Sequence, residues 1–343
     1  MRAMVVRRYG PPEVFELRTL PDAQPAPGQV LIRVHFVGVN FADILARMGL
    51  YGGTPKAPFV PGLEVAGLVE AVGPGLDPQA PSLRRGDRVA ALTKFKGYAE
   101  LVAVPAQQVF RVPDEVPLDH AAAMPVNYLT AYHSMFQMGN LQPGDRILIH
   151  AAAGGVGMAA VQLARARKLI IFGTAGSSKQ DYLRQSGVHY PIDYSKEDFV
   201  EVVRRVAPDG IELAFDAVGG DYFKRSQRCL GPGGRLVVYG FSAAVGPDGK
   251  RSLWRIARAL LQTRLYHPLP MIDRNLAVIG VHLGRMQGRE ALLKKEMDEI
   301  FGMYRAGEVK PVVGKIFPLE KAADAHRFIH ARQNIGKVLL SIS

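Results

Sequence analysis

Residues 150–157 of this 343-residue chain, His150-Ala151-Ala152-Ala153-Gly154-Gly155-Val156-Gly157, have the types and spacing needed to hold a pyrophosphate. Before them, Ile147, Leu148 and Ile149 form an apolar run suited to a buried parallel strand. After them, Met158 to Arg167 reads as a helix with Ala160, Val161 and Ala164 on one face. Strand, glycine turn and helix is the context a dinucleotide fingerprint requires. A side chain at the second glycine position would block the close approach of the phosphates. The helix N-terminus adds unpaired N–H groups and a partial positive charge. Aligned on Gly157 the pattern is Ala152-x-Gly154-x-x-Gly157, so alanine replaces the first glycine. Ile147 to Ala164 carries no formal charge, but its three glycines, His150 and Gln162 make it a poor membrane span.

The 2′ position of the cofactor ribose is addressed about 20 residues beyond the glycines, where NAD-binding chains place an acidic residue. Between Met158 and Gln180 there is no acidic residue. The second strand runs instead into Gly176-Ser177-Ser178-Lys179. A hydroxyl pair and a cation suit a 2′-phosphate, which makes NADPH the expected cofactor. No Ser-His-Asp constellation or catalytic carboxylate pair competes with this chemistry. Cys229 is the one cysteine, which excludes an internal disulfide and a multi-cysteine metal site.

These residues need a scaffold, and the chain changes pattern near residue 122. Residues 1–122 read as short strands punctuated by Gly and Pro: Met4–Val6, Val30–Val37, a strand entered from Val60 and running to Val72, Arg88–Ala91 and Tyr98–Val104. That spacing suggests a small barrel. From residue 123 helices and apolar strands alternate, with strands at Ile147, Ile170, Tyr190, Ile211, Arg235 and Ala277. The expected fold class is α/β, a doubly wound parallel sheet of Rossmann type plus a β-barrel domain. The expected division is 1–122 with 288–343, and 123–287. A long helix covers Glu290–Tyr304, and the tail after Gly307 reads as strand-like runs ending in Val338-Leu339-Leu340.

A formal net charge of +12 is the unusual bulk feature. Nucleic acid is not the expected partner, because no zinc-finger spacing or RNP-type aromatic motif accompanies the charge. Residues 250–267 read as a basic amphipathic helix, with Arg251, Arg255 and Arg258 on one side and Leu253, Trp254, Ala257, Leu260 and Leu261 on the other. Such a helix serves as a lid or packing element, or lies on an anionic membrane surface. The N-terminus MRAMVVRRYG lacks an apolar signal region, so the expected compartment is the cytoplasm.

HAAAGGVG at 150–157, GVNFAD at 38–43, GLY at 49–51 and GKVLL at 336–340 resemble the zinc-free quinone oxidoreductase branch of the medium-chain dehydrogenase/reductase superfamily. VNYLTAY at 126–132, GNLQPG at 139–144 and VHLG at 281–284 are similar to the vesicle amine transport protein type within it. The resemblance implies a GroES-like domain beside the Rossmann domain. Asn40 and Leu63 stand where zinc-binding members carry a Cys and a His, which implies no catalytic metal. It further implies that Asn40, Asp43, Tyr51 and Thr130 surround the substrate. His133, Phe241, His282 and Leu283 would line the nicotinamide pocket, and Gly154, Gly155, Val156 and Gly157 the pyrophosphate. Gly176, Ser177, Lys179, Tyr194 and Arg332 would hold the 2′-phosphate. The implied reaction is hydride transfer from NADPH to a quinone or an α,β-unsaturated carbonyl, with the proton coming from Tyr51, the ribose or water. A homodimer pairing through Asn275–Leu283 is implied as well. The competing reading is a weakly catalytic nucleotide-binding peripheral protein that binds lipid through the basic helix.

Overall fold

The computed structural model describes residues 1–76, 82–245, 254, 257, 261–263 and 268–342. The chain divides into two units. One holds residues 1–129 and 284–342; the other holds 130–245 and the described residues from 254 to 283.

The first unit is β-rich. β1 (Arg2–Val6) and β2 (Phe15–Thr19) form an antiparallel pair. A seven-stranded sheet contains β3 (Gln29–Val39), β4 (Glu64–Val72), β5 (Arg88–Leu92), β6 (Leu101–Pro105) and β7 (Val109–Arg111), completed by two C-terminal strands, Val313–Pro318 and Lys337–Ser341. Strand β3 shows how the sequence builds the core. Val30, Ile32 and Val34 face inward at period two; the register then shifts between Val34 and Phe36, and Val37 and Val39 carry the buried face onward. A bulge adds one residue and so changes the phase of the alternation. The C-terminal strand Lys337–Ser341 pairs antiparallel with β3, Val338 opposite Val39.

In the second unit β8 (Arg146–Ile149), β9 (Ile170–Ala175), β10 (Tyr190–Asp193), β11 (Ile211–Asp216), β12 (Leu230–Val238) and β13 (Ala277–Gly280) form a six-stranded sheet in the order β10-β9-β8-β11-β12-β13. Every pairing in it is parallel. Counted from β8 this is the 3-2-1-4-5-6 order of a dinucleotide fold, and the expected α/β class is what the structure has. The core joins Leu148, Phe172, Ile192, Ala214 and Leu236 from five strands to Phe199, Val203 and Phe223 from the helices.

Several elements differ from the expectation. β4 begins at Glu64 rather than Val60, and β6 at Leu101 rather than Tyr98. The tail after Gly307 contains a helix, Ala322–His330, where only strand-like runs were expected. Its buried positions Ala322, Ala325, His326 and His330 follow helical spacing, but two of the four are histidines, so an apolar count misses the period. Helix Asp221–Cys229 was not anticipated either, because its buried face includes Ser226 and Gln227. The basic helix expected over 250–267 lies mostly outside the described residues; of it, Trp254 and Leu261 are 71% and 83% exposed. Among the described residues no helix is long and apolar enough to cross a membrane.

Candidate active site

The cofactor turn starts where β8 ends. Ala151 takes left-handed backbone (φ 51°), a conformation uncommon outside glycine. Gly154 caps a helix that runs Gly155–Ala166, three residues earlier than the apolar pattern indicated. Gly155, Val156 and Gly157 therefore form its first turn, whose N–H groups have no partner within the helix. A Cβ on Gly157 would stand 2.7 Å from the Cα of Ala152, so this glycine is what lets the helix close onto the turn. Ala152, at the first glycine position, packs its Cβ against Gly173 of β9, where a Cβ would come within 3.1 Å of it.

At the ends of β9 and β10, Gly176 opens a 3-10 turn, Ser177–Lys179. Ser177 is exposed and Lys179 half-buried. The Tyr194 hydroxyl lies 3.4 Å from where a Gly176 Cβ would be. Ser177 donates its hydroxyl to Asp193 Oδ2 at 2.5 Å. Arg332 is exposed in the first unit, just past helix Ala322–His330.

Further along the same sheet, Asp216 at the end of β11 accepts from the backbone N–H of Val218 (2.7 Å) and Gly219 (3.1 Å) and from Ser226 (3.0 Å). Ser226 also meets His150 Nε2 at 2.9 Å, and His150 Nδ1 meets Thr174 at 3.1 Å. This buried chain ties three strand ends together. It also shapes Gly219, where a Cβ would collide with the ring of Phe241. Thr130 and His133 are both buried; His133 opens a π-helical turn, His133–Met138, a distortion often found at functional sites. His282 is exposed and Leu283 half-buried beyond β13.

In the first unit Asn40, Asp43 and three further residues form one buried network. Asn40 precedes helix Phe41–Arg47, and its backbone N–H donates to Asp43 Oδ2 at 2.8 Å. Asp43 Oδ1 accepts from the Gly62 N–H at 3.1 Å. The Asn40 amide donates to Glu64 Oε1 (2.8 Å) and to the Gly38 carbonyl (3.2 Å). Its oxygen accepts from Lys337 Nζ at 2.7 Å. Lys337 is also ion-paired with Glu64 and donates to Asn127 at 3.3 Å; Glu64 Oε2 accepts from the Val126 N–H at 2.8 Å. Gly38 makes room for Glu64, since a Cβ there would stand 2.6 Å from the carboxyl carbon.

Burial pushes the Asp43 carboxyl up to about 7, against the pull of the Asn40 N–H and the Lys337 ammonium. Burial, and then the Asp43 charge, pushes the Tyr51 phenol up to about 12. A tyrosine phenol is protonated at neutral pH even at its ordinary value, so Tyr51 can donate.

Glu64, Asn127 and Lys337 were absent from the sequence candidates. Their signal is that Glu64 and Lys337 open apolar strand runs, Glu64-Val65-Ala66 and Lys337-Val338-Leu339. A charge bordering a buried strand needs a partner, but which partner is not written in either run. Among the described residues no group of three or more His, Cys, Asp or Glu is placed to hold a metal ion.

Comparison with known proteins agrees with this architecture. Residues 26–114 match the alcohol dehydrogenase GroES-like domain family, and residues 186–340 the family described as zinc-binding dehydrogenase. The human synaptic vesicle membrane protein VAT-1 homolog is 40% identical over 344 aligned residues, covering 99% of this chain and 86% of that protein. The solved human VAT-1 homolog-like protein superposes with a TM-score of 0.85 at 31% identity, covering 100% of this chain and 98% of that one. Escherichia coli quinone oxidoreductase, solved in complex with NADPH, gives a TM-score of 0.88 at 27% identity with both chains fully covered. The chain thus belongs to the quinone oxidoreductase-like branch of the medium-chain dehydrogenase/reductase superfamily, among the relatives of the VAT-1 homologues.

Proposed function

We propose that this chain is a zinc-independent, NADPH-dependent oxidoreductase that passes a hydride to a quinone or an α,β-unsaturated carbonyl. The observation that carries the reading is the glycine turn at the end of β8. It opens a helix from Gly155, and a side chain at Gly157 would keep that helix from closing onto the turn. The NADPH complex of the Escherichia coli quinone oxidoreductase supports the choice of cofactor.

In this reading the N–H groups of Gly155, Val156 and Gly157 hold the pyrophosphate, while Gly154, whose own N–H goes to the Ala151 carbonyl at 2.8 Å, lets the backbone come close. Ser177, Lys179 and Tyr194 hold the 2′-phosphate. Phe241, His282, Leu283 and His133 line the nicotinamide pocket. Bound NADPH supplies the hydride. Tyr51, whose phenol is protonated at neutral pH, donates a hydrogen bond to the oxygen on which charge develops. Asn40 acts by positioning, because Gly38, Glu64 and Lys337 already use its amide. Zinc independence is supported by the donor set. Leu63 is apolar, Asn40 is committed, and Cys229 is buried in the other unit. The Lys337 ammonium against Glu64 opposes a second cation there.

The test is NADPH oxidation with a panel of quinones and enones, repeated after dialysis against a chelator, with elemental analysis of the purified protein. Turnover that survives chelation is expected. A stoichiometric metal whose removal abolishes turnover would overturn the zinc-free part of the reading. No turnover with any acceptor would favour the peripheral nucleotide-binding alternative.

A further inference from the structure

Residues 158–180 contain no acid, yet the 2′ end of the site is not free of negative charge. β10 lies parallel to β9, with Asp193 opposite Ala175. The neighbouring strand thus delivers a carboxylate to the level at which a Rossmann sheet reads the ribose 2′ position. Asp193 accepts from the Ser177 hydroxyl at 2.5 Å, the Ser195 hydroxyl at 2.6 Å and the Ser195 N–H at 3.0 Å. Lys196 Nζ stands 3.8 Å away, and the Asp193 side chain is 8% exposed.

We propose that Asp193 is a specificity-determining residue that acts against the 2′-phosphate and so limits the chain's preference for NADPH over NADH. The proposal rests on the cofactor reading above. A serine has one hydroxyl proton. That of Ser177 is given to Asp193, as is that of Ser195 3.1 Å away, so the exposed Ser177 oxygen is left with lone pairs and no proton to offer. Those lone pairs accept from a free 2′-OH but offer nothing to a phosphate. To donate to a 2′-phosphate, Ser177 must release Asp193 and leave a nearly buried carboxylate short of a donor. The carboxylate also repels the phosphate directly. The hydroxyls of Ser177 and Ser195 hold the Asp193 carboxyl below the usual range, so this charge is present at neutral pH. Lys179 and Asp193 pull the selectivity in opposite directions.

The experiment measures dissociation constants of NADPH and NADH, by calorimetry, for the full chain and for Asp193→Asn, Asp193→Ser and Lys179→Glu. Both Asp193 variants should bind NADPH roughly fivefold more tightly, the size of one partly exposed charge contact, with NADH unchanged or weaker. Parallel movement of both cofactors would mean that the carboxylate only holds the loop in shape, and would overturn the proposal. So would weaker NADPH binding, or failure of both variants to fold. Lys179→Glu separates the two ideas. If it leaves NADPH binding intact, the cofactor reading itself fails. If it selectively weakens NADPH while the Asp193 variants leave the ratio unchanged, only the Asp193 proposal falls.

Discussion

In the proposed reading, Lys179 is the residue at which charge separates two cofactors that differ by one phosphate. The 2′-phosphate offers this cation a charge-assisted contact that NADH lacks. Such contacts are worth about 1.5–3 kcal/mol net, or roughly ten- to a hundredfold in affinity. Partial exposure at the adenosine end favours the lower figure. Lys179→Glu should weaken NADPH binding by about tenfold or more and leave NADH nearly unchanged, measured as dissociation constants at two salt concentrations. Parallel loss of both cofactors would reassign Lys179 to a structural role. Asp43 supports a second prediction at this scale. Its carboxyl is raised to about 7 from an ordinary 3.8, so the folded protein favours the neutral form. The stability this contributes is fully present below pH 3.8 and is lost as pH rises through about 7. In urea unfolding from pH 4.5 to 8, wild type should therefore lose stability relative to Asp43→Asn as pH increases. A difference that grows in wild type's favour across that range would contradict the assignment.

At the scale of elements, the C-terminal strand Lys337–Ser341 does more than complete a sheet. By pairing with β3 it carries the ammonium of Lys337 to Glu64 at the start of β4 and to Asn40 at the end of β3. Removing one member of a buried pair leaves the other charge unpaired, which costs about 3–5 kcal/mol. Lys337→Met should lower unfolding stability by about that amount. The double variant Glu64→Gln/Lys337→Met should recover much of it, because neither charge is then stranded. Equal stability of the single and double variants would show that the pair is not coupled. The turn after β8 makes a different demand. A Cβ at Gly157 meets fixed backbone at Ala152 rather than a movable side chain. Gly157→Ala should weaken both NADPH and NADH, in contrast to Lys179→Glu, and intrinsic fluorescence titration distinguishes the two patterns.

For the whole molecule, β13 lies at one edge of the six-stranded sheet and pairs, among the described residues, with β12 alone, with Ala277, Val278 and Ile279 only half-buried. An apolar edge of this kind is a template for pairing with another strand. A homodimer joined through it is expected, and Ile279→Lys should shift sedimentation toward monomer; a wild-type monomer at micromolar concentration would remove this edge as an interface. The exposed Trp254 and Leu261, in a stretch of sequence that also carries Arg251, Arg255 and Arg258, bear on the peripheral-protein alternative. Each arginine near an anionic bilayer contributes about 1 kcal/mol. Replacing Arg251, Arg255 and Arg258 with Gln should change turnover or subunit contacts more than sedimentation with anionic liposomes. Strong liposome binding that collapses in this variant while turnover is untouched would favour the lipid-binding reading.

The sequence by itself determined the α/β class, the six parallel strands and the place of the glycine turn. Each depends on a local pattern: apolar runs of strand length, helical periodicity, and glycines where a backbone must come close. It also marked Ser177 and Lys179 as candidates, and family resemblance added Asn40 and Asp43. Tertiary structure decided what those residues are joined to. Glu64, Asn127 and Lys337 come from three distant segments; the pairing of β3 with β4 and the C-terminal strand brings the charges of Glu64 and Lys337 into contact, and helix Pro125–Tyr132 adds the Asn127 amide. Likewise, the acid missing from residues 158–180 arrives from β10, because parallel strands align residues 18 apart in the chain, Asp193 beside Ala175. Hydrophobic periodicity records which face of an element is buried. The partner of a buried charge is set by strand order and register, which lie beyond any single window of sequence.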